Sequence, residues 1–229
     1  MTHPTPELRA FLRDCGVPRE RLDAGRPGGL DVMRRLCADL RAANARTNLT
    51  RLTDEEAFWA LHVADSLLVG RVAGELLTEP LTVADVGCGG GFPLLPLAWA
   101  NPRLAAVGIE PRRKKADFVA AEASALGLDN VSVVPLQARE AGRDAAHRGR
   151  YDAVCLRAVG PAARLIRHCR TLLRITAGAR MIFYKTPAGV KSELKAAEGE
   201  ARAHGLSASV SPVLALPDGQ QRQFIIMAR

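Results

Sequence analysis

The sequence predicts an α/β fold: a doubly wound, mostly parallel sheet of seven strands, with a helical cap on its N-terminal side. Three observations predict it. From residue 81 onward, short apolar runs alternate with stretches of helical periodicity, the pattern of strand–helix–strand units and of a sheet covered on both faces. The first of these runs opens directly into "GCGGG" at 87–91, four glycines in five positions. The second run ends in an acid, Glu110.

The elements follow in order. Residues 28–45 place Leu30, Met33, Leu36, Cys37 and Leu40 at helical spacing. Residues 54–76 read as a second long helix. Thr53 or Asp54 would cap it, and Glu55 and Glu56 lie in its first turn, where carboxylates face the positive end of the helix dipole. Strands are expected at 81–86, 104–110, 131–136, 151–158 and 179–185. Helices are expected near 94–100, 112–127, 140–146, 161–174 and 189–204. Two last strands, "SASVSPVLAL" and "RQFIIMA", flank the turn "PDGQQ" and suit an antiparallel pair. Residues 1–77 form the cap and 78–229 the sheet domain, expected as one compact unit.

Composition narrows the class. The 229 residues are 48% hydrophobic, and no apolar run approaches the roughly 18–20 residues that span a bilayer. The first residues show no cationic start followed by an apolar stretch. The five cysteines are scattered and form no C-x-x-C pair. That argues against a disulfide framework or a cysteine zinc site and suits a reducing cytoplasm. No membrane partner and no metal are expected.

Net charge is +8, and its excess is local: residues 102–185 carry 16 basic and 7 acidic side chains. A basic face beside a site suits a polyanionic partner, and a solvated surface is the alternative. The run Arg112, Arg113, Lys114, Lys115 opens a helix, where positive charge opposes the dipole. A phosphate partner would offset that.

The glycine loop limits its ligand. No G-K-[ST] follows it, so it is not a nucleotide-triphosphate loop. No third glycine falls where a dinucleotide fingerprint needs one. A carboxylate at the end of strand 2 can bind the two hydroxyls of a ribose. Loop and acid together suit an adenosine ligand without a pyrophosphate.

"DVGCGGG" at 85–91 resembles the first motif of class I S-adenosylmethionine-dependent methyltransferases. More narrowly, residues 30–229 are similar to the RsmG (GidB) family, which methylates nitrogen-7 of a guanine in bacterial 16S rRNA. The similarity runs through "NLT" at 48–50, "HVADSL" at 62–67, "DVGCGGGFP" at 85–93, "EPRRKKADFV" at 110–119, "YDAVCLRAV" at 151–159 and "YK" at 184–185. Leu94, Pro111, Leu156 and Thr186 depart from the family's usual glycine, serine, serine and glycine.

The resemblance implies an S-adenosylmethionine cofactor on Gly87, Gly89, Gly91, Phe92, Glu110, Arg139, Glu140 and Arg157. It implies Arg157 and Lys185 as catalytic positioning residues. RNA contacts are expected at His62, Asp65, Arg112, Arg113, Lys114, Lys115 and Lys185. The implied partner is 16S rRNA or a small-subunit precursor, and a monomer is expected.

The absent motifs agree with that chemistry. Nitrogen-7 of guanine has a free lone pair on the major-groove edge and needs no general base. No N-P-P-Y motif of amino-group methyltransferases and no Pro-Cys nucleophile occurs. Two further readings stay open: a small-molecule methyltransferase on the same scaffold, and a non-catalytic RNA-binding relative.

Overall fold

The computed structural model describes residues 4–47 and 54–229. The "NLT" stretch and Thr53 lie outside the described residues. The strands are β1 (Thr82–Val86), β2 (Ala105–Ile109), β3 (Val131–Val134), β4 (Ala153–Arg157), β5 (Arg180–Lys185), β6 (Ser207–Val210), β7 (Leu214–Ala215) and β8 (Gln221–Ala228). Their order is β3-β2-β1-β4-β5-β8-β6, with β7 paired to β8 off that path. The first five strands run parallel; β8 is antiparallel to β5, β6 and β7.

The sheet therefore has eight strands rather than seven, because "SASVSPVLAL" splits in two. Pro212 has no N–H for a ladder bond, and Ser211 takes over there. Its backbone N–H donates to Phe224 O (3.0 Å), and its Oγ accepts from Phe224 N (2.9 Å).

Side chains alternate between two cores, as the two-residue strand period requires. Val83, Ala153, Cys155, Ile182 and Tyr184 face one core with the Leu94–Ala100 and Arg113–Ala125 helices. Ala84, Val86, Val154, Leu156, Met181 and Phe183 face the other, with the Ala162–Cys169 and Pro187–Ala203 helices. The first core also takes in the N-terminal helices. Leu30, Met33, Leu36, Cys37 and Leu40 of the 28–45 stretch are all buried in it, and Trp99 Nε1 donates to Gly28 O at 2.9 Å. Among the described residues no helix is long and apolar enough to cross a membrane.

The cap differs from the sequence reading in two places. Helices at Pro6–Asp14 and Arg19–Leu22 precede the first expected one; Leu8 and Leu12, one turn apart, bury the former. The expected single helix at 54–76 is broken. Asp54 caps Glu55–Phe58 by accepting from Ala57 N at 2.7 Å. The chain then widens into a π-helical segment, Trp59–Ala64, and tightens through Asp65–Leu67 into 3₁₀ turns at Leu68–Arg71 and Gly74–Leu77. Widened turns of this kind re-aim side chains and backbone carbonyls. Here the segment turns His62 toward Phe92 and the Leu61 carbonyl toward Arg157.

Candidate active site

β1 is hydrogen-bonded to β2 on one side and to β4 on the other, so the strand order reverses beside it. Ligands of doubly wound sheets sit outside the carboxyl ends of the strands at such a point. A cavity of about 410 Å³ opens there. Its walls are the 87–90 loop, Phe92, His62, Glu110 to Arg112, Lys115 and the Arg157–Val159 turn.

Two glycines shape the loop by necessity. Gly87 has φ +73°, and a Cβ there would lie 2.9 Å from Val159 Cγ1. Gly91 has φ +94°, and a Cβ would lie 2.5 Å from Leu95 Cδ1. Side chains are strained at such φ values and would also collide. Gly91 itself does not line the cavity; Gly90 does. Gly91 turns the chain into the Leu94–Ala100 helix instead of facing a ligand, which corrects its sequence-based assignment.

Glu110 anchors the loop. Its Oε2 accepts from Gly89 N and its Oε1 from Arg112 N, both at 3.0 Å. Each carboxylate oxygen has a further lone pair, so a ribose diol could be held without breaking either bond. Asp85, at the end of β1, lies behind the loop. Its Oδ2 accepts from Leu94 N at 3.0 Å, while its buried Oδ1 has no hydrogen-bond partner. Burial first of all pushes its carboxyl up to about 7. The same contact explains Leu94: only its backbone N–H is used at this point, so a glycine is not required for that bond.

Cys88 also lines the cavity. Burial, with the Asp85 and Glu110 carboxylates nearby, pushes its thiol far above the usual range. It is a small wall residue and no nucleophile at neutral pH.

His62 stacks on Phe92, with ring centroids 4.2 Å apart and 12° between planes, and Phe58 meets both rings edge-on. Burial, then the Arg157 charge, lowers its pKa from 6.5 to about 3. His62 is thus a neutral aromatic wall, a poor base and a poor cation. The sign of the linkage follows. Unfolded His62 binds a proton below about pH 6.5 and folded His62 does not, so its contribution to stability is lost as pH falls below 6.5 toward 3. The Asp85 shift acts oppositely, favouring the folded state as pH falls from about 7 toward 4. His62→Phe keeps the stack and removes one of the two. Denaturant melts from pH 7 to 4 should show the variant gaining on wild type by up to roughly 1 kcal/mol per pH unit. Parallel stability curves would refute a buried neutral His62.

Arg157 ends β4 and is held from three sides. Its guanidinium donates to the Leu61 carbonyl, to Ser66 Oγ at 3.3 Å and to Asp65 Oδ2 at 3.0 Å. Asp65 Oδ1 accepts from Arg222 Nε, also at 3.0 Å. Asp65 is 2% exposed. The expectation that it touches RNA is therefore corrected: both its oxygens are spent on arginines, and it positions Arg157. The residue after Arg157, Ala158, lines the cavity with φ +56°, a rare conformation for a residue with a Cβ and one that clusters at functional sites.

The remaining expected residues separate. Arg112 and Lys115 line the cavity. Arg113 turns outward to pair with Asp117 at 3.1 Å, and Lys114 is exposed. Lys185 does not line the cavity. Its Nζ donates to Gly160 O (3.0 Å) and pairs with Glu193 (2.9 Å), which fixes the turn after Ala158. Both roles expected for it, catalytic and RNA-binding, give way to that structural one. Glu140 closes a capping box, accepting from Gln137 N at 2.8 Å. Arg139 lines a different cavity. Neither reaches the loop, so both cofactor assignments are corrected.

Of the other departures from the resembled pattern, Leu156 faces the second core. Thr186 caps the Pro187–Ala203 helix by accepting from Gly189 N at 3.1 Å. Pro111 stands on the cavity wall. Sequence reasoning passed over Gly90, Ala158, Val159, Asp85 and Arg222. Only Asp85 and Gly90 carried a signal, as members of the motif itself.

Comparisons with known proteins agree with this architecture. The family model described as rRNA small subunit methyltransferase G matches residues 30–225. A protein named ribosomal RNA small subunit methyltransferase G from Roseiflexus sp. (strain RS-1) is 34% identical over 200 residues, which is 87% of this chain and 83% of that one. A protein of the same name from Deinococcus radiodurans is 38% identical over 208 residues, 88% of this chain and 80% of that one. Among solved structures, an S-adenosylmethionine-dependent methyltransferase from Aquifex aeolicus has the same fold. Its TM-score is 0.57 at 17% identity, covering 79% of this chain and 96% of that one. The chain belongs to the rRNA small subunit methyltransferase G family.

Proposed function

We propose that this protein transfers a methyl group from S-adenosylmethionine to nitrogen-7 of a guanine in bacterial 16S rRNA. Family membership supports the reaction class. The observation that carries the donor assignment is the Glu110 carboxylate, tied by 3.0 Å bonds to both the glycine loop and the start of the basic helix. That cradle fits a ribose at Glu110 and the methionine end over Gly87 to Gly90.

When bound, S-adenosylmethionine supplies an electrophilic sulfonium methyl. The chain's own residues have a limited task, because the nitrogen-7 lone pair needs no base. No lining side chain is placed to act as one: His62 is neutral and weakly basic, and Cys88 stays a thiol. The protein's contribution is position and a dry, shaped cavity. Arg157 offers a guanidinium whose charge is shared with Asp65, itself shared with Arg222. A fixed, partly neutralised donor suits the guanine carbonyl oxygen or a flanking phosphate. A cation on nitrogen-7 itself would block the lone pair. His62 and Phe92 give an aromatic wall, and Arg112 and Lys115 stand at the rim for phosphates.

The test is transfer of labelled methyl from S-adenosylmethionine into unmodified 16S rRNA by the purified protein. Incorporation that falls steeply with salt is expected. Arg112→Gln/Lys115→Gln should lower the log–log salt slope of RNA binding by about 0.9 for each phosphate that is no longer neutralised. Incorporation into small molecules alone would assign a different substrate class. RNA binding without any transfer would make the protein a non-catalytic relative.

A further inference from the structure

The basic excess of residues 102–185 does not all gather at the active site. A second cavity, of about 450 Å³, opens where the Ala138–Ala141 helix and the 142–150 turn meet the end of the Ala162–Cys169 helix. Arg139, Arg143, Arg148, Arg167 and Arg170 line it with His168, and no carboxylate does. It shares no lining residue with the first cavity.

This cluster differs from an ordinary solvated charge run in three ways. First, the acids near it in sequence are engaged elsewhere. Glu140 caps Gln137 N, Asp144 accepts from Ala146 N at 2.8 Å, and Asp152 pairs with Arg174 at 2.7 Å. Among the described residues only Arg167 of the five arginines has an ion pair, with Glu200 at 2.9 Å. Second, Arg170 Nε is buried and has no hydrogen-bond partner, an unfavourable state for a donor unless an acceptor arrives. Third, the cavity is built. Gly149 N donates to Thr171 O at 2.9 Å, and a Cβ on Gly142 would lie 2.4 Å from Thr171 Oγ1. Both ends of the turn are therefore pinned against Thr171. Like charges held together this way repel one another, and an anion with several oxygens relieves that. Guanidinium forks match phosphate oxygens in geometry as well as charge.

We propose that this cavity is a second phosphodiester-binding site, which grips backbone phosphates of the RNA substrate apart from the reacting base. The proposal rests on the RNA substrate assigned above. It gives Arg139 a role in place of its expected cofactor contact, and it divides the basic residues between two RNA-binding sites.

Arg143 and Arg148 are exposed, so Arg143→Gln/Arg148→Gln tests the site without disturbing the core. Binding of unmodified 16S rRNA transcript is measured across a salt series, beside calorimetry with S-adenosylmethionine and single-turnover transfer at saturating RNA. The variant should bind the transcript roughly tenfold more weakly at moderate salt. Its log–log slope should be smaller by between about 1 and 2, because two phosphates are no longer neutralised. Donor affinity and single-turnover rate should match wild type, and Arg143→Lys/Arg148→Lys should restore the slope. A wild-type slope and affinity in the glutamine variant would overturn the proposal. So would unchanged rRNA binding with abolished binding to anionic phospholipid vesicles, which would mark a membrane-facing patch. Failure of wild type itself to bind or methylate the transcript would instead defeat the substrate assignment, and this site with it.

Discussion

Glu110→Ala is expected to weaken S-adenosylmethionine binding by roughly a hundredfold, read by calorimetry. Hydrogen bonds to a charged group contribute about 1.5–3 kcal/mol each, and a ribose diol makes two of them. The same substitution frees Gly89 N and Arg112 N, which Glu110 now holds. The loop then loses its tie to the end of β2, so part of the loss is preorganisation of the site. Glu110→Gln keeps the shape but replaces one acceptor by a donor, and an intermediate loss of about tenfold is expected. Wild-type affinity in Glu110→Ala would remove the ribose from this carboxylate.

Asp65→Ala should cost about 3 kcal/mol of stability. It removes the one carboxylate shared by Arg157 and Arg222, whose side chains are 16% and 15% exposed. Breaking a buried pair costs about 3–5 kcal/mol because it leaves charge uncompensated. The lower end applies here, since each guanidinium keeps other acceptors: the Leu61 carbonyl and Ser66 Oγ for Arg157, and Gln221 O for Arg222. For a chain of this size the expected fall in Tm is about 6–12 °C. Asp65→Ala/Arg222→Leu should recover part of that loss by leaving one cation instead of two, a non-additivity that a double-mutant cycle reads directly. It should not recover turnover, because Arg157 still lacks its positioning partner. Full recovery of turnover, or a loss under about 1 kcal/mol in the single variant, would show that Asp65 does not hold Arg157 for the reaction.

The parts of this site that were legible in the sequence are those that depend on local chain geometry. A strand running into Gly87–Gly91 and a second ending at Glu110 are written within short windows, and the structure places both on one cavity. The apolar spacing of Leu30, Met33, Leu36, Cys37 and Leu40 likewise marked a buried helix face. Charged side chains were harder, because their partners are set by packing across long separations. Asp65 meets an arginine 157 positions away in Arg222, and nothing near Asp65 announces it. Lys185 ends a strand at the correct edge of the sheet, yet Glu193, two turns into the next helix, draws its ammonium away from the cavity. The widened Trp59–Ala64 segment was hidden for a different reason: its apolar residues satisfy ordinary helical spacing, and only the tertiary contacts of His62 and Leu61 show the altered turn. The split of the late strand into β6 and β7 was legible in principle, since Pro212 cannot donate to a ladder.

The most direct measurement is mass-spectrometric mapping of 7-methylguanine in 16S rRNA from cells with the gene, without it, and complemented with either wild type or Glu110→Ala. The account predicts one 7-methylguanine that disappears on deletion, returns with wild type, and stays absent or strongly reduced with Glu110→Ala. An unchanged 16S rRNA methylation pattern in the deletion strain would contradict it.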